Sequence, residues 1–248
     1  MATKNVKICF VTDAHQEKYA LKFNSKISQF SPRLSDSMQY YVCSDRTDLI
    51  ADFNFLKKFD LSELQDRHPE TKEYEKISDT VKYREYPWNL RRHIIHKALE
   101  DDFDYVIWND CDVSLQACDQ VLLLELSEYN PNNIYTEQTI WNYGKQPDRI
   151  EFSGFRKAVT DLGLVTNESE LSTHDGPSAI YVLDNEHRKR FIENWDRVTL
   201  YGYEENYYGQ SNWFIPNLVY ALGLSDIKVS SAKRKLFRVD HVDADRYH

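Results

Sequence analysis

The segment DYVIWNDCDVSL, residues 104–115, runs from apolar and aromatic residues into two carboxylates, Asp110 and Asp112. A continuous apolar run that stops at polar residues is typical of a strand buried on both faces of a parallel sheet. We therefore predict a strand from Tyr105 to Asn109. Residues two apart in an extended chain point the same way, with Cα atoms roughly 6–7 Å apart. Asp110 and Asp112 can thus converge on one cation just beyond the strand. Alternatively, the two acids cap the following turn or helix.

A helix is predicted immediately before this strand, in PWNLRRHIIHKALEDDFD. Pro87 suits a first turn and Asn89 an N-cap. The apolar positions recur at helical spacing and form one stripe: Leu90, Ile94, Ile95, Ala98 and Leu99. Arg91 and Arg92 lie in the first turn, so the helix carries cations at its start.

Two earlier apolar runs, VKICFVTD (residues 6–13) and MQYYVCSD (38–45), also end in an acid and predict two more buried strands. A helix is predicted between them, near residues 21–30. In the second half we predict a strand at 179–183, helices at 186–198 and 211–224, and a short strand near the C-terminus. The alternation predicts an α/β fold with a Rossmann-like, mostly parallel sheet flanked by helices. The charge-dense block 48–85 is interpreted as a solvated helix and loop.

The chain has 248 residues and shows no repeat or linker, so we predict a single domain. A nucleotide-binding half would cover about residues 1–115 and an acceptor-side half about 116–248. The net charge of −9 argues against a nucleic-acid partner, which needs a basic face. Neither GxGxxG nor GxxxxGK[ST] occurs, so no glycine-rich loop is available to bind phosphates.

Four scattered cysteines without a CxxC pair indicate a reducing compartment. No apolar stretch approaches the ~20 residues of a membrane-spanning helix. These features predict a cytoplasmic protein without a membrane span.

Two carboxylates at the carboxyl end of a buried strand suit Mg²⁺ or Mn²⁺, which keep open positions for water and for phosphates of a substrate. A metal ion would neutralise a pyrophosphate in place of the missing glycine-rich loop.

The run WNLRRHIIHKALEDDFDYVIWNDCDVSL, residues 88–115, resembles the nucleotide-binding half of the GT-A glycosyltransferases. In these enzymes an arginine-bearing helix precedes a strand that ends in a DxD motif. The resemblance implies a hexosyl- or pentosyltransferase that uses a nucleotide-sugar donor, with a UDP-sugar favoured over a GDP-sugar. It also implies a divalent ion, Mn²⁺ or Mg²⁺, and a glycan or glycoconjugate acceptor.

Site roles follow from the same resemblance. Asp110 would contact the ribose or the metal and Asp112 the metal, while Arg91 or Arg92 would face the phosphates or the sugar. Residues after the first two strands would hold the base and ribose, which points to Thr12, Asp13 and Asp45; turn formation is an equally open role for the strand-end acids. A third metal ligand near the C-terminus would be His241, with His248 as the second choice. The alternative is that these are surface histidines that do not bind metal. Where related enzymes often read DQ, this chain has Gly209-Gln210, so Gln210 is a candidate donor contact and the acid of that pair is missing.

An inverting transferase also needs a carboxylate that takes a proton from the acceptor hydroxyl. The candidates are Asp175, Glu204 and Glu205, all in predicted loops, and Asp175 is preferred because a strand of small residues follows it. A retaining enzyme would not need this base.

Three rival functions remain open from the sequence. A sugar nucleotidyltransferase would use a related sheet but normally has a glycine-rich loop after its first strand. A glycoside hydrolase would use two carboxylates without a nucleotide. A non-catalytic sugar- or partner-binding module could keep the same fold. Metal-dependent binding of a nucleoside diphosphate separates the transferase from the hydrolase and the binding module.

Overall fold

The computed structural model describes residues 6–30, 36–66, 91–111, 113–115, 119–136, 140–142, 172–174, 178–204, 228–232 and 236–239. The strands are β1 (Ile8–Asp13), β2 (Met38–Ser44), β3 (Leu56–Asp60), β4 (Tyr105–Asn109), β5 (Val113–Leu115), β6 (Asn133–Thr136), β7 (Ile140–Asn142), β8 (Ser172–His174), β9 (Ser178–Val182), β10 (Lys228–Ser231) and β11 (Phe237–Val239). The helices are α1 (Gln16–Phe30), α2 (Leu61–Gln65), α3 (Arg91–Glu100), α4 (Asp119–Ser127) and α5 (Asn185–Glu204).

A seven-stranded sheet in the order β10-β6-β9-β4-β1-β2-β3 forms the centre of the fold. Its neighbouring strands are parallel except at β9, which runs antiparallel to both β4 and β6. The order β3-β2-β1-β4 is that of the Rossmann fold. Strands β5 and β11 pair antiparallel beside this sheet, as do β7 and β8.

Helices cover the sheet on both faces. On one face, α1 and α4 pack on side chains that alternate along β1, β2 and β4, such as Phe10, Tyr40 and Ile107. On the other face, the guanidinium of Arg91 at the start of α3 lies over the ring of Trp108, which neighbours Ile107 and therefore points the opposite way. Helix α3 contacts β1, β2 and β4 and is itself contacted by α2 and α5. Because both faces are covered, the central strands can be continuously apolar.

The predicted α/β class with a mostly parallel, helix-flanked sheet is confirmed, and β4 has the predicted bounds. Helix α1 begins at Gln16, earlier than the predicted residue 21. Helix α5 continues to Glu204, so the prediction of a loop at Glu204 was wrong. A helix tolerates Gly202 at a cost of about 1 kcal/mol relative to alanine, so this glycine does not end α5. The predicted helix at 211–224 lies outside the described residues.

The prediction of a solvated helix and loop for block 48–85 was wrong for residues 56–60, while residues 61–65 do form a helix. Residues 56–60 form β3, the outer strand of the sheet next to β2, and α2 follows with Leu61 and Leu64 buried. The sequence analysis missed this strand because its two lysines do not fit the apolar pattern of a buried strand. An edge strand tolerates charged side chains that a central strand does not. None of the helices within the described ranges is long and apolar enough to cross a membrane.

Candidate functional site

The carboxyl ends of three parallel strands, β1, β2 and β4, meet at one edge of the sheet. Strand β1 ends at Asp13, and Asp45 and Asp110 directly follow β2 and β4. The chain adds β2 and β3 on one side of β1 and β4 on the other side, so the strand order reverses at β1. Open α/β sheets bind ligands in the crevice outside such a switch point. The predicted Asp13 and Asp110 thus flank the place where this topology provides a ligand site.

Arg91 and Asp110 form the charged centre of this edge. The Arg91 Nη1 atom is 3.5 Å from Asp110 Oδ1, with side chains 2% and 30% exposed. The Arg91 guanidinium carbon lies 4.7 Å from the centroid of the Trp108 ring, a cation–π contact. A buried cation is therefore held rigidly beside a carboxylate that solvent can reach.

Arg92 has different surroundings, although it is the next residue. Its Nε donates to Asp196 Oδ1 on α5 at 3.2 Å, and the Nδ1 atom of His96 is 3.3 Å from the same oxygen. The His96 ring meets Trp195 edge-on at 5.0 Å between centroids. Arg92 thus joins α3 to α5, whereas Arg91 lies beside the strand-end acid.

A buried histidine that the sequence analysis did not single out, His15, lies between two of the predicted residues. Its Nε2 is 4.0 Å from Asp13 Oδ2 and its Nδ1 is 4.0 Å from Asp45 Oδ1. Burial lowers the pKa of His15, while Asp13 and Asp45 oppose that shift and Arg91 adds to it. Asp45 Oδ1 also accepts the Gln16 backbone N–H at 2.7 Å, at the start of α1. Asp45 therefore has a helix-capping role whether or not it also contacts a ligand.

Thr12 and Asp13 occupy opposite faces of β1 and are both buried. The Thr12 hydroxyl donates to the Asp13 carbonyl at 3.5 Å. The Asp13 Oδ2 atom is buried and accepts no hydrogen bond within the described ranges. Asp13 thus offers a buried acceptor at the end of β1.

Asn109, the last residue of β4, was also missed. It is fully buried, and its Nδ2 donates to Tyr40 Oη at 2.7 Å and to the Asp110 carbonyl at 3.2 Å. Burial raises the pKa of Tyr40, so this hydroxyl stays protonated at neutral pH. No sequence signal pairs these side chains, because the strand order alone brings them together.

The other predicted site residues lie outside the described residues. They are Asp112, Asp175, Glu205, Gln210, His241 and His248, together with the side chain of Glu204. Residues near two of them in the chain belong to described strands. Strand β5 pairs with β11, with Val113 opposite Val239 in the register. Asp112 directly precedes Val113, and His241 follows Val239 by two residues. Within the described part of the chain, no group of three or more histidine, cysteine or acidic side chains could hold a metal ion.

No protein-family model and no curated protein sequence matches the chain. Among solved structures, mouse xyloside xylosyltransferase 1 in its apo form is similar with a TM-score of 0.49 and 11% identity, over 90% of this chain and 84% of that one.

Proposed function

We propose that this protein is a metal-dependent glycosyltransferase of the GT-A type. It would move a hexosyl or pentosyl group from a nucleotide-sugar, a UDP-sugar before a GDP-sugar, to a hydroxyl group of a glycan or glycoconjugate. The observation that carries the proposal is the pairing of buried Arg91 with solvent-accessible Asp110 at the switch point between β1 and β4. A fixed cation next to the carboxylate of Asp110, two residues before Asp112, suits a ligand that combines a diphosphate with a divalent ion.

Among the described residues at this edge, Asp110 is suited to be a ligand of such an ion. The carboxylate of Asp110 is 30% exposed, so it can reach a cation from the solvent side. Carboxylate oxygens are the donors that Mg²⁺ and Mn²⁺ prefer, and Mn²⁺ also accepts imidazole. The pairing of Val113 with Val239 supports Asp112 and His241 as the further ligands, since each is within two residues of that pair. When bound, the ion would neutralise the charge that grows on the leaving diphosphate.

Arg91 is the better of the two arginines for the diphosphate. Its guanidinium is already desolvated and stacked on Trp108, so it need not reorganise when negative charge develops on the leaving group. Arg92 is engaged by Asp196 and has a structural role in this proposal.

The base and ribose would lie against the ends of β1 and β2. Asp13 Oδ2 provides a buried acceptor for a donor group of the nucleoside. Thr12, the residue before it in β1, and Asp45, directly after β2, are proposed as further contacts. Gln210 is proposed as an additional contact to the donor.

The acceptor hydroxyl needs a base only if the sugar is transferred with inversion. Asp175 is the first candidate, followed by Glu205 and Glu204. Asp175 is three residues before Ser178, which pairs with Asn109 at the sheet edge next to Asp110, and this connection favours it.

Calorimetric titration of UDP and of GDP, each with and without Mn²⁺, tests the proposal. Wild type should bind one diphosphate in a metal-dependent manner, and Asp112→Ala should lose that binding. Asp52→Ala is the matched control, because Asp52 is 90% exposed and forms a surface pair with Lys58. Absence of binding by wild type to both nucleotides, with and without metal, would contradict the proposal.

A further inference from the structure

The main chain at the exit of β4 is held by a hydrogen-bonded pair that no step of the proposed reaction uses. One amide group of Asn109 bridges the hydroxyl of Tyr40 and the carbonyl of Asp110. An amide nitrogen carries two protons, so these two acceptors use both. The Oδ1 atom of Asn109 accepts no hydrogen bond from the described residues, so the side chain is oriented through its nitrogen.

Tyr40 is itself fixed by aromatic packing. Its ring stacks on Phe10 at 5.8 Å between centroids and meets Phe23 edge-on at 5.5 Å. Tyr40 is 1% exposed, in the apolar cluster between the sheet and α1. A hydroxyl group in such surroundings is costly unless it is hydrogen-bonded, and phenylalanine would fill the same space without that cost. The tyrosine therefore needs an explanation beyond packing.

We propose that Tyr40 and Asn109 are a positioning pair that fixes the backbone of Asp110 and, through it, sets the affinity of the Asp110 carboxylate for the divalent ion. Packing against Phe10 and Phe23 fixes the Tyr40 ring and therefore its hydroxyl. The Asn109 amide donates to this hydroxyl and to the Asp110 carbonyl, so the carbonyl is fixed in turn. The carboxylate of Asp110 then leaves the backbone in a defined direction next to Arg91. This inference rests on the proposed function.

The decisive comparison is between two adjacent tyrosines. Tyr40→Phe removes the hydroxyl that holds Asn109. Tyr41→Phe removes a hydroxyl that bonds Asp101 Oδ2 at 2.9 Å from the opposite face of the same strand, away from the strand-end acids. Each variant loses a hydrogen-bonded tyrosine hydroxyl and keeps its ring, so loss of stability alone cannot distinguish them.

The measurement is the Mn²⁺ concentration that gives half-maximal binding of UDP, or of GDP if wild type selects it, with free Mn²⁺ followed by electron paramagnetic resonance. Partners that orient a metal ligand typically change metal affinity about 10- to 100-fold when removed. Tyr40→Phe should therefore raise the half-saturating Mn²⁺ concentration about tenfold or more, and Tyr41→Phe should leave it at the wild-type value. Thermal unfolding of both variants in the absence of metal checks that the fold is retained.

A double-mutant cycle with Asn109→Ala tests whether Tyr40 acts through Asn109. The Tyr40→Phe effect on metal affinity should disappear in the Asn109→Ala background, because coupled residues are not additive. Equal Mn²⁺ requirements of Tyr40→Phe and wild type would overturn the inference while the proposed function stands. Wild type that binds neither nucleotide with Mn²⁺ would overturn the proposed function first and the inference with it.

Discussion

Arg91 and Arg92 are consecutive on α3, but their guanidinium groups meet different carboxylates. Successive helical residues are about 100° apart around the axis, since a turn takes 3.6 residues, so they face different neighbours. Arg91 lies over Trp108 beside Asp110, and Arg92 donates to Asp196. The two positions therefore allow a ligand-binding role and a structural role to be separated by experiment.

Replacing each arginine with methionine, which keeps much of the stem, should separate these roles. Arg91→Met should weaken binding of the nucleoside diphosphate about 10- to 100-fold, because a charge-assisted hydrogen bond contributes about 1.5–3 kcal/mol. Arg92→Met should leave that affinity near wild type and lower the stability by about 1–3 kcal/mol, because Asp196 loses its arginine. Calorimetric titration measures the affinity and thermal unfolding the stability. Equal losses of affinity in both variants would contradict the assignment.

At the scale of elements, one aspartate links the start of α5 to the segment before β6. The Oδ1 atom of Asp184 accepts the His187 backbone N–H at 3.0 Å, and its Oδ2 accepts from Asn132 Nδ2 at 3.1 Å. In return, Asn132 Oδ1 accepts the Asp184 backbone N–H at 3.1 Å. The His187 ring also lies 2.7 Å from Asp184 Oδ1. Asp184 thus acts as the N-cap of α5 and ties the helix to its neighbouring strand.

This cap predicts a pH-dependent contribution to stability. The backbone and side-chain hydrogen bonds from His187 lower the pKa of Asp184 from 3.8 to about 2. Because the pKa is lowered in the folded state, the ionised carboxylate stabilises the fold above about pH 3.8, and this contribution is lost as the pH falls towards 2. Asp184→Ala should therefore cost about 1 kcal/mol at pH 7 and less near pH 2. Denaturant unfolding at both pH values gives the two differences.

Glu193→Ala is the control for this experiment. Glu193 lies within α5, is 62% exposed and forms a surface pair with Lys189 at 3.9 Å. Such a pair contributes at most about 1 kcal/mol, so the variant should differ little from wild type at pH 7. A cost of Asp184→Ala that is the same at both pH values would show that the carboxylate charge does not contribute.

The sequence predicted those elements whose pattern reflects burial. Strands β1, β2, β4 and β9 read as continuous apolar runs because helices cover both faces of the sheet. Strand β3 did not, because its lysines belong to an edge: Lys57 Nζ lies 5.4 Å from the Tyr41 ring centroid and 5.0 Å from that of Phe59, so the side chain crosses two rings instead of entering the core. A charged strand such as β3 can be recognised as an edge strand only once the strand order is known.

The same limit applies to the candidate site. Acids at strand ends could be identified from the chain, because strand ends are local features. Tyr40 and Asn109 are 69 residues apart and belong to strands separated by β1, so their contact depends on the order β2-β1-β4. His15 follows β1 by two residues, and its place between Asp13 and Asp45 depends on the pairing of β1 with β2.

At the scale of the whole molecule, Arg188 joins the two halves of the chain. Its buried guanidinium donates to the carbonyls of Leu183, Leu99, Asp101 and Phe103. The first of these directly follows β9, and the other three lie at the end of α3 and in its connection to β4. The sheet is shared in the same way, since β6, β9 and β10 come from the half after residue 115. The sequence analysis predicts a single domain, and we therefore expect the chain to unfold as one cooperative unit that depends on this arginine.

Arg188→Met should destabilise the whole molecule, because several buried carbonyls lose a charged donor at once. We expect a loss of about 3 kcal/mol, which corresponds to a decrease in melting temperature of roughly 6–12 °C for a chain of this size. Lys189→Met, at the next position of α5, removes a side chain that is 77% exposed and should change stability by less than about 0.5 kcal/mol. Calorimetric unfolding should show one transition that moves as a whole in Arg188→Met. Two separate transitions, with one unmoved by the substitution, would instead mean that the halves unfold independently and that Arg188 does not couple them.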